Sequence, residues 1–178
     1  MKLAGIMIVI LLNAVCSLTP AQQAARAALQ QILSYEKTHD NATDTIFNRR
    51  NLEIRRKWMT PSLYRLYLIE LAREEREAKE HPDEKPYFGD GMDFGPLKEL
   101  CKVGDRIYSQ KFSFSRGRFI GNYAYLRARF FYHPECDGNE PTYYAFIFRK
   151  LGKAWLLDNI DYGRNGGTLR RSLRRAGK

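Results

Sequence analysis

Metal-ligating side chains are scarce in this chain. Its 178 residues hold only three cysteines, Cys16, Cys101 and Cys136, and three histidines, His39, His81 and His133. No two of them stand at metal-ligand spacing, so no metal is expected. Each histidine falls at a turn or an element end, and no His–Asp pair offers a general base. No long hydrophobic run is present either. The longest, Leu3 to Leu12 (LAGIMIVILL), rises only about 15 Å as a helix, too short to span a bilayer. Acidic residues are few, 20 against 30 lysines and arginines, which leaves a net charge of +10. No internal repeat is visible. With 44% hydrophobic and 13% aromatic residues, the chain has the means for a packed core, and disorder of the whole chain is excluded.

The apolar run follows Met1-Lys2 and precedes small and polar residues, NAVCSLTPA. That is the layout of a secretory signal peptide, cleaved after Cys16 or Ala21. The expected division is therefore a leader over 1–21, one domain over 22–162 and a basic tail over 163–178. Secretion across the inner membrane into the periplasm follows. The lesser alternative is a lipoprotein acylated at Cys16, where Val15 is bulkier than the small residue that such a site holds. Cleavage leaves Cys101 and Cys136, an even pair in an oxidising compartment and hence a disulfide candidate. Two separate buried thiols are the alternative.

Helix-start signals stand at Thr19-Pro20 and Thr60-Pro61. Ala24, Ala28, Leu29, Ile32 and Tyr35 continue the first at helical spacing, and residues 45–57 form a short second helix. Leu63, Leu66 and Tyr67, with Glu70 or Leu71, trace the third, whose charged last turns are expected to project into solvent. Residues 81–96, with three prolines and three glycines, separate this helical half from a β half. Four extended runs follow, at 103–115, 118–132, 142–150 and 154–162. Short connections imply an antiparallel meander. In the second run Ile120, Ala124, Leu126, Ala128, Phe130 and Tyr132 form an apolar face, and Tyr123, Tyr125, Arg127 and Arg129 the other. In the tail, Leu169 and Leu173 are spaced to dock one helical turn among Arg170, Arg171, Arg174 and Arg175.

The closing run, KAWLLDNIDY, contains Asp158 and Asp161. Trp155 and Leu157 read as core. Leu157 and Ile160 are three apart, so both are core only if a bulge or the strand end intervenes. The aspartates then lie near the sheet rim, where they can pair with arginine. Asp90 and Asp93 among glycines read as turn chemistry, because a calcium loop needs more oxygen ligands in register.

Trp155–Leu157–Asp158–Asn159–Ile160 is similar to a "W-x-I-D-x-I" closing strand, and Gly89-Asp90-Gly91-Met92-Asp93-Phe94 to a "D-x-D-P-F" crossover. Gly95-Pro96 here follows the Phe, where that pattern has a Pro before it. Through these motifs the chain resembles the exported bacterial domain-of-unknown-function family numbered 3828, within the nuclear transport factor 2-like, cystatin-like superfamily. The resemblance implies an α+β fold, with N-terminal helices packed on a curved four-stranded antiparallel sheet, a cone. It implies a fold better than an activity. The cone wall would include Tyr108, Tyr123, Tyr125, Arg127 and Tyr144, with Asp158 beside them.

No convincing catalytic set emerges, so a non-catalytic exported binding module is expected. It needs no cofactor and binds a protein partner through the sheet face or crossover loop, as an immunity-type or envelope-associated factor. The alternative is a small-molecule-binding or isomerase/dehydratase-like protein, with Asp158 and tyrosine donors around a small apolar ligand in the cone. The arginine pairs suggest anionic membrane surfaces as a further partner, through the tail. Export argues against nucleic acid.

Overall fold

The computed structural model describes residues 18–38, 48–82, 101–103, 106–108, 111–115, 117–131, 142–163 and 166–176, with the backbone alone at 101–103, 106–108, 111 and 176. Helix α1 spans Pro20–Thr38. Thr19 Oγ1 accepts from the Gln22 N–H at 3.3 Å, and Gln22 Oε1 accepts from the Thr19 N–H at 2.9 Å. This reciprocal pair satisfies two donors that a helix start leaves open. The buried face is Ala25, Leu29, Ile32, Leu33 and Glu36. Ala24, expected on that face, is exposed.

Helix α2 (Arg49–Arg55) is capped by Asn48, whose side chain accepts from the Arg50 and Asn51 N–H groups, and runs into a 3-10 turn, Arg56–Trp58. Helix α3 (Pro61–Glu80) starts with Thr60 as cap and Pro61 at its first position, and buries Leu63, Tyr67, Glu70, Leu71 and Glu74. Its charged C-terminal half therefore does not simply project into solvent. Arg73, which bonds Glu70, Glu74 and Glu77, supplies the counter-charge that lets two of those carboxylates turn inward. No described helix is long and apolar enough to cross a membrane.

Strands β1 (Cys101–Val103) and β2 (Arg106–Tyr108) pair as a small antiparallel sheet of their own. The main sheet contains β3 (Lys111–Phe114), β4 (Arg118–Ile120), β5 (Tyr123–Phe131), β6 (Thr142–Leu151) and β7 (Ala154–Asp161). Its order is β3-β5-β6-β7, with β4 also on β5, and every pairing is antiparallel. The fold is α+β with a five-stranded sheet, one strand more than expected.

Two local causes explain the difference. The run at 118–132 turns back on itself at Gly121, whose φ of +53° is open to glycine at little cost. Phe119 and Ile120 thus pair with Ala124 and Tyr123, and Ile120 is 48% exposed rather than part of the apolar face. The run at 103–115 is shared among β1, β2 and β3. Strands β3 and β4 then form one interrupted edge. Phe114 pairs with Ala128 and Arg118 with Tyr125, so four steps on the edge oppose three on β5. The extra residue is a bulge. Gly117 sits in it, where a Cβ would collide with the Leu126 side chain.

The helices cover one face of the sheet. Ala124, Leu126, Ala128 and Phe130 of β5 pack with Phe146 and Phe148 of β6, Trp155, Leu157 and Ile160 of β7, and Leu29, Ile32, Leu63 and Tyr67 of the helices. Each such large side chain contributes about 1.5–3 kcal/mol on burial. The register shifts at β7, with Phe148 opposite Leu157 and Ile147 opposite Asn159. Asp158 is the additional residue, and this bulge is what lets Leu157 and Ile160 both face inward.

Helix α4 (Leu169–Ala176) buries Leu169 and Leu173, while Arg171, Arg174 and Arg175 stay exposed. It packs beside α3 and β7. The outer edge of β7 is also covered by main chain. The Thr60 N–H donates to the Leu157 carbonyl at 2.8 Å, and Thr168 bridges to Asp161. A covered edge cannot pair with another chain.

Candidate functional site

The face of the sheet turned away from the core carries aromatic and arginine side chains. Alternation along β5 directs Tyr123, Tyr125, Arg127, Arg129 and Phe131 outward, opposite the buried even positions. Register brings the rows together. Tyr123 lies between Ile120 and Arg149, Tyr125 between Arg118 and Ile147, and Arg129 between Ser113 and Tyr143. Tyr125 is 37% exposed and Tyr143 44% exposed.

Two of the guanidiniums lie over rings. Arg129 stands 4.4 Å from the Phe131 centroid and 5.7 Å from that of Tyr143, and Arg149 stands 5.9 Å from that of Tyr123. Stacking of this kind holds a long side chain in place while its N–H groups stay available. Arg118, Arg127, Arg129 and Arg149 are all exposed, and Asp161, opposite Ala145, is the one acid described on this face. Tyrosine and arginine are the side chains that most often dominate protein interfaces.

The residues singled out from the sequence do not converge. Tyr123, Tyr125 and Arg127 are on the outer face. Tyr144 is on the inner face, edge-on to Phe130 at 5.4 Å and to Tyr162 at 5.0 Å. Asp158 lies on neither wall. Its Oδ1 accepts from Thr60 Oγ1 at 2.7 Å and from Arg170 Nη2 at 2.5 Å. Arg170 also donates to the Asp158 carbonyl at 2.6 Å and to Ser62 Oγ at 2.6 Å, and its own N–H is held by Asn159 Oδ1 at 3.0 Å. The aspartate thus clamps α4 onto the start of α3. Among the described residues, Asp158, Tyr123, Tyr125 and Tyr144 do not gather around one pocket. Trp155, Leu157 and Ile160 are core residues, and Phe119 meets Trp155 edge-on at 5.8 Å. Asp90, Asp93, Cys136 and the side chains of Cys101 and Tyr108 lie outside the described residues.

Charged groups that sequence reasoning did not single out as core are buried in the helical layer. Arg55 and Glu36 form a two-pronged pair at 2.7 and 3.0 Å, with Arg55 fully buried. On α3, burial raises the Glu74 carboxyl above its ordinary range against the pull of Arg73, and the neighbouring Glu70 charge pushes the same way; its buried Oε2 has no hydrogen-bond partner among the described residues. No group of three or more potential metal ligands gathers among the described residues. An i,i+3/i,i+4 search for Glu around Arg73 would have found the second cluster. The first has no local signal, because Glu36 and Arg55 are brought together only by packing.

No protein-family model matches the chain, and no curated protein matches it significantly. Among solved structures it is similar to the type VI native effector–immunity complex Tae3-Tai3 from Ralstonia pickettii, with a TM-score of 0.45 and 12% identity, over 81% of this chain and 98% of that one. A likeness of that degree says nothing about partner or activity.

Proposed function

We propose that this protein is a non-catalytic binding module whose open sheet face receives an acidic protein surface. The observation that carries the reading is the charge and ring pattern of that face: among the described residues, four exposed arginines stand beside exposed Tyr125, Tyr143 and Ile120, against the one acid Asp161. Arginine forks aimed from a stiff sheet lose little freedom on pairing with carboxylates. Clustered positive charge also steers an acidic partner into encounter. The other half of the reading is location and kin: an exported protein of the nuclear transport factor 2-like type, with a partner of immunity or envelope kind. The apolar run Leu3 to Leu12 behind Lys2 and the layering of helices on one sheet face support it.

The test is capture from an envelope extract by native protein and by Arg127→Glu/Arg129→Glu. Both residues are exposed, so the variant keeps its core. Native protein is expected to retain an acidic protein that moderate salt releases, and the variant to lose it. Equal retention by both forms, or no retained acidic protein, would refute the proposal.

A further inference from the structure

A groove of about 640 Å³ lies at the β7 edge of the sheet, between the α2–3-10 segment and the start of α3, and reaches Leu156, the cross-strand partner of Arg149. Its floor is apolar: Met59, Pro61, Leu68 and Leu156. Its rim is cationic, with Arg56, Lys57 and Arg65. Of these, Arg56 is neutralised in place. It donates to Glu53 Oε1 at 3.0 Å, Tyr64 Oη donates to Glu53 Oε2 at 2.6 Å, and the guanidinium lies 5.2 Å from the Tyr64 ring centroid. That closed triad forms one wall. Lys57 and Arg65 have no acidic partner among the described residues, and both are exposed. The Lys57 ammonium lies 4.4 Å from the Trp58 ring centroid, on the side of an adjoining hollow that Lys57 and Trp58 share with Tyr35, a contact that does not neutralise it.

We infer that this groove binds a small amphiphilic carboxylate, its apolar body on the Met59–Leu68–Leu156 floor and its head between Lys57 and Arg65. The volume is in the range that encloses such a ligand. Two cations with no acidic partner among the described residues, above an apolar floor, match one anion on a hydrocarbon body. A dianion fits less well, because the Glu53 carboxylate stands in the same groove. Pro61, Leu68 and Leu156 keep part of their surface exposed in the groove, while Met59, 2% exposed, closes the floor beneath them, so an apolar chain laid there gains burial.

The test is calorimetric titration of the full protein with dodecanoate below its micelle concentration. Dodecanol, dodecyltrimethylammonium and phosphatidylglycerol vesicles serve as comparison arms. One dodecanoate is expected to bind per chain, with dodecanol weaker and the cation absent. Lys57→Ala and Arg65→Ala are each expected to weaken dodecanoate binding about tenfold, since each removes one charge-assisted contact. Arg127→Glu/Arg129→Glu is expected to bind dodecanoate as the native protein does, which separates this site from the sheet face. Circular dichroism of each variant reports whether the fold is intact. The inference is overturned by any of four results: no saturable dodecanoate binding, equal binding of dodecanol, indifference to both cation substitutions in folded protein, or binding to the vesicles alone.

Discussion

Removing the Glu36 carboxylate is the sharpest test of how the helical layer is held. Arg55 Nε and Nη2 donate to its two oxygens at 2.7 and 3.0 Å. Arg55 is fully buried and the Glu36 side chain is 6% exposed. After Glu36→Ala the guanidinium keeps, among its contacts to described residues, the Asn51 carbonyl at 3.2 Å and the Tyr35 ring at 5.1 Å. Neither of these two replaces the lost carboxylate charge. Breaking one side of such a pair costs about 3–5 kcal/mol. Against a total stability of about 5–15 kcal/mol, that is a large share. In a chain of this length each kcal/mol lowers Tm by about 2–4 °C, so the expected fall is about 6–20 °C. Thermal melts of native protein, Glu36→Ala, Arg55→Met and Glu36→Leu/Arg55→Met measure it. The double variant should lose less than the two single variants together, because neither member of this pair is then left buried without the other. A fall below about 2 °C for Glu36→Ala, or strict additivity, would refute the argument.

Other outcomes follow from the same geometry. Because the folded-state pKa of Glu74 is raised, the folded protein holds its proton more tightly than the unfolded chain does. That contribution is full at acid pH, and stability declines as pH rises through the unfolded and then the raised folded value. Glu74→Gln should flatten this part of the pH–stability curve, and an unchanged slope in urea titrations at several pH values would contradict it. Asp158→Ala leaves Arg170 without its carboxylate and should cost about 1–3 kcal/mol. It should also speed tryptic cleavage at Arg171, Arg174 or Arg175, and unchanged cleavage would mean that α4 is held without the clamp. Gly117→Ala places a methyl group against Leu126 at the edge bulge and should cost about 1–3 kcal/mol in urea unfolding. No loss would show that Leu126 yields freely.

Much of the chain's local order is legible in its residues. Thr19-Pro20 and Thr60-Pro61 begin α1 and α3, because a hydroxyl cap and a fixed φ act within one turn. The alternation from Ala124 to Phe130 reveals a half-buried strand. The three-residue spacing of Leu157 and Ile160 demands the bulge found at Asp158. Other features were missed for physical reasons. Gly121 stands inside an otherwise continuous extended pattern, so its hairpin is hidden until cross-strand pairs form. Tyr143 and Tyr144 are adjacent in a strand that is aromatic on both sides, and only the register with Arg129 and Ala128 decides which ring faces out.

The sequence by itself determined the helix starts, the two-half order, the positive balance and the polarity of β5, because each depends on neighbours within a few residues. Tertiary structure alone decided that Arg55 meets Glu36, that Asp158 meets Arg170, and that Arg118, Arg129, Arg149 and Tyr143 share one open face. Those partners are far apart along the chain, and nothing but strand register and helix packing brings them within reach of one another.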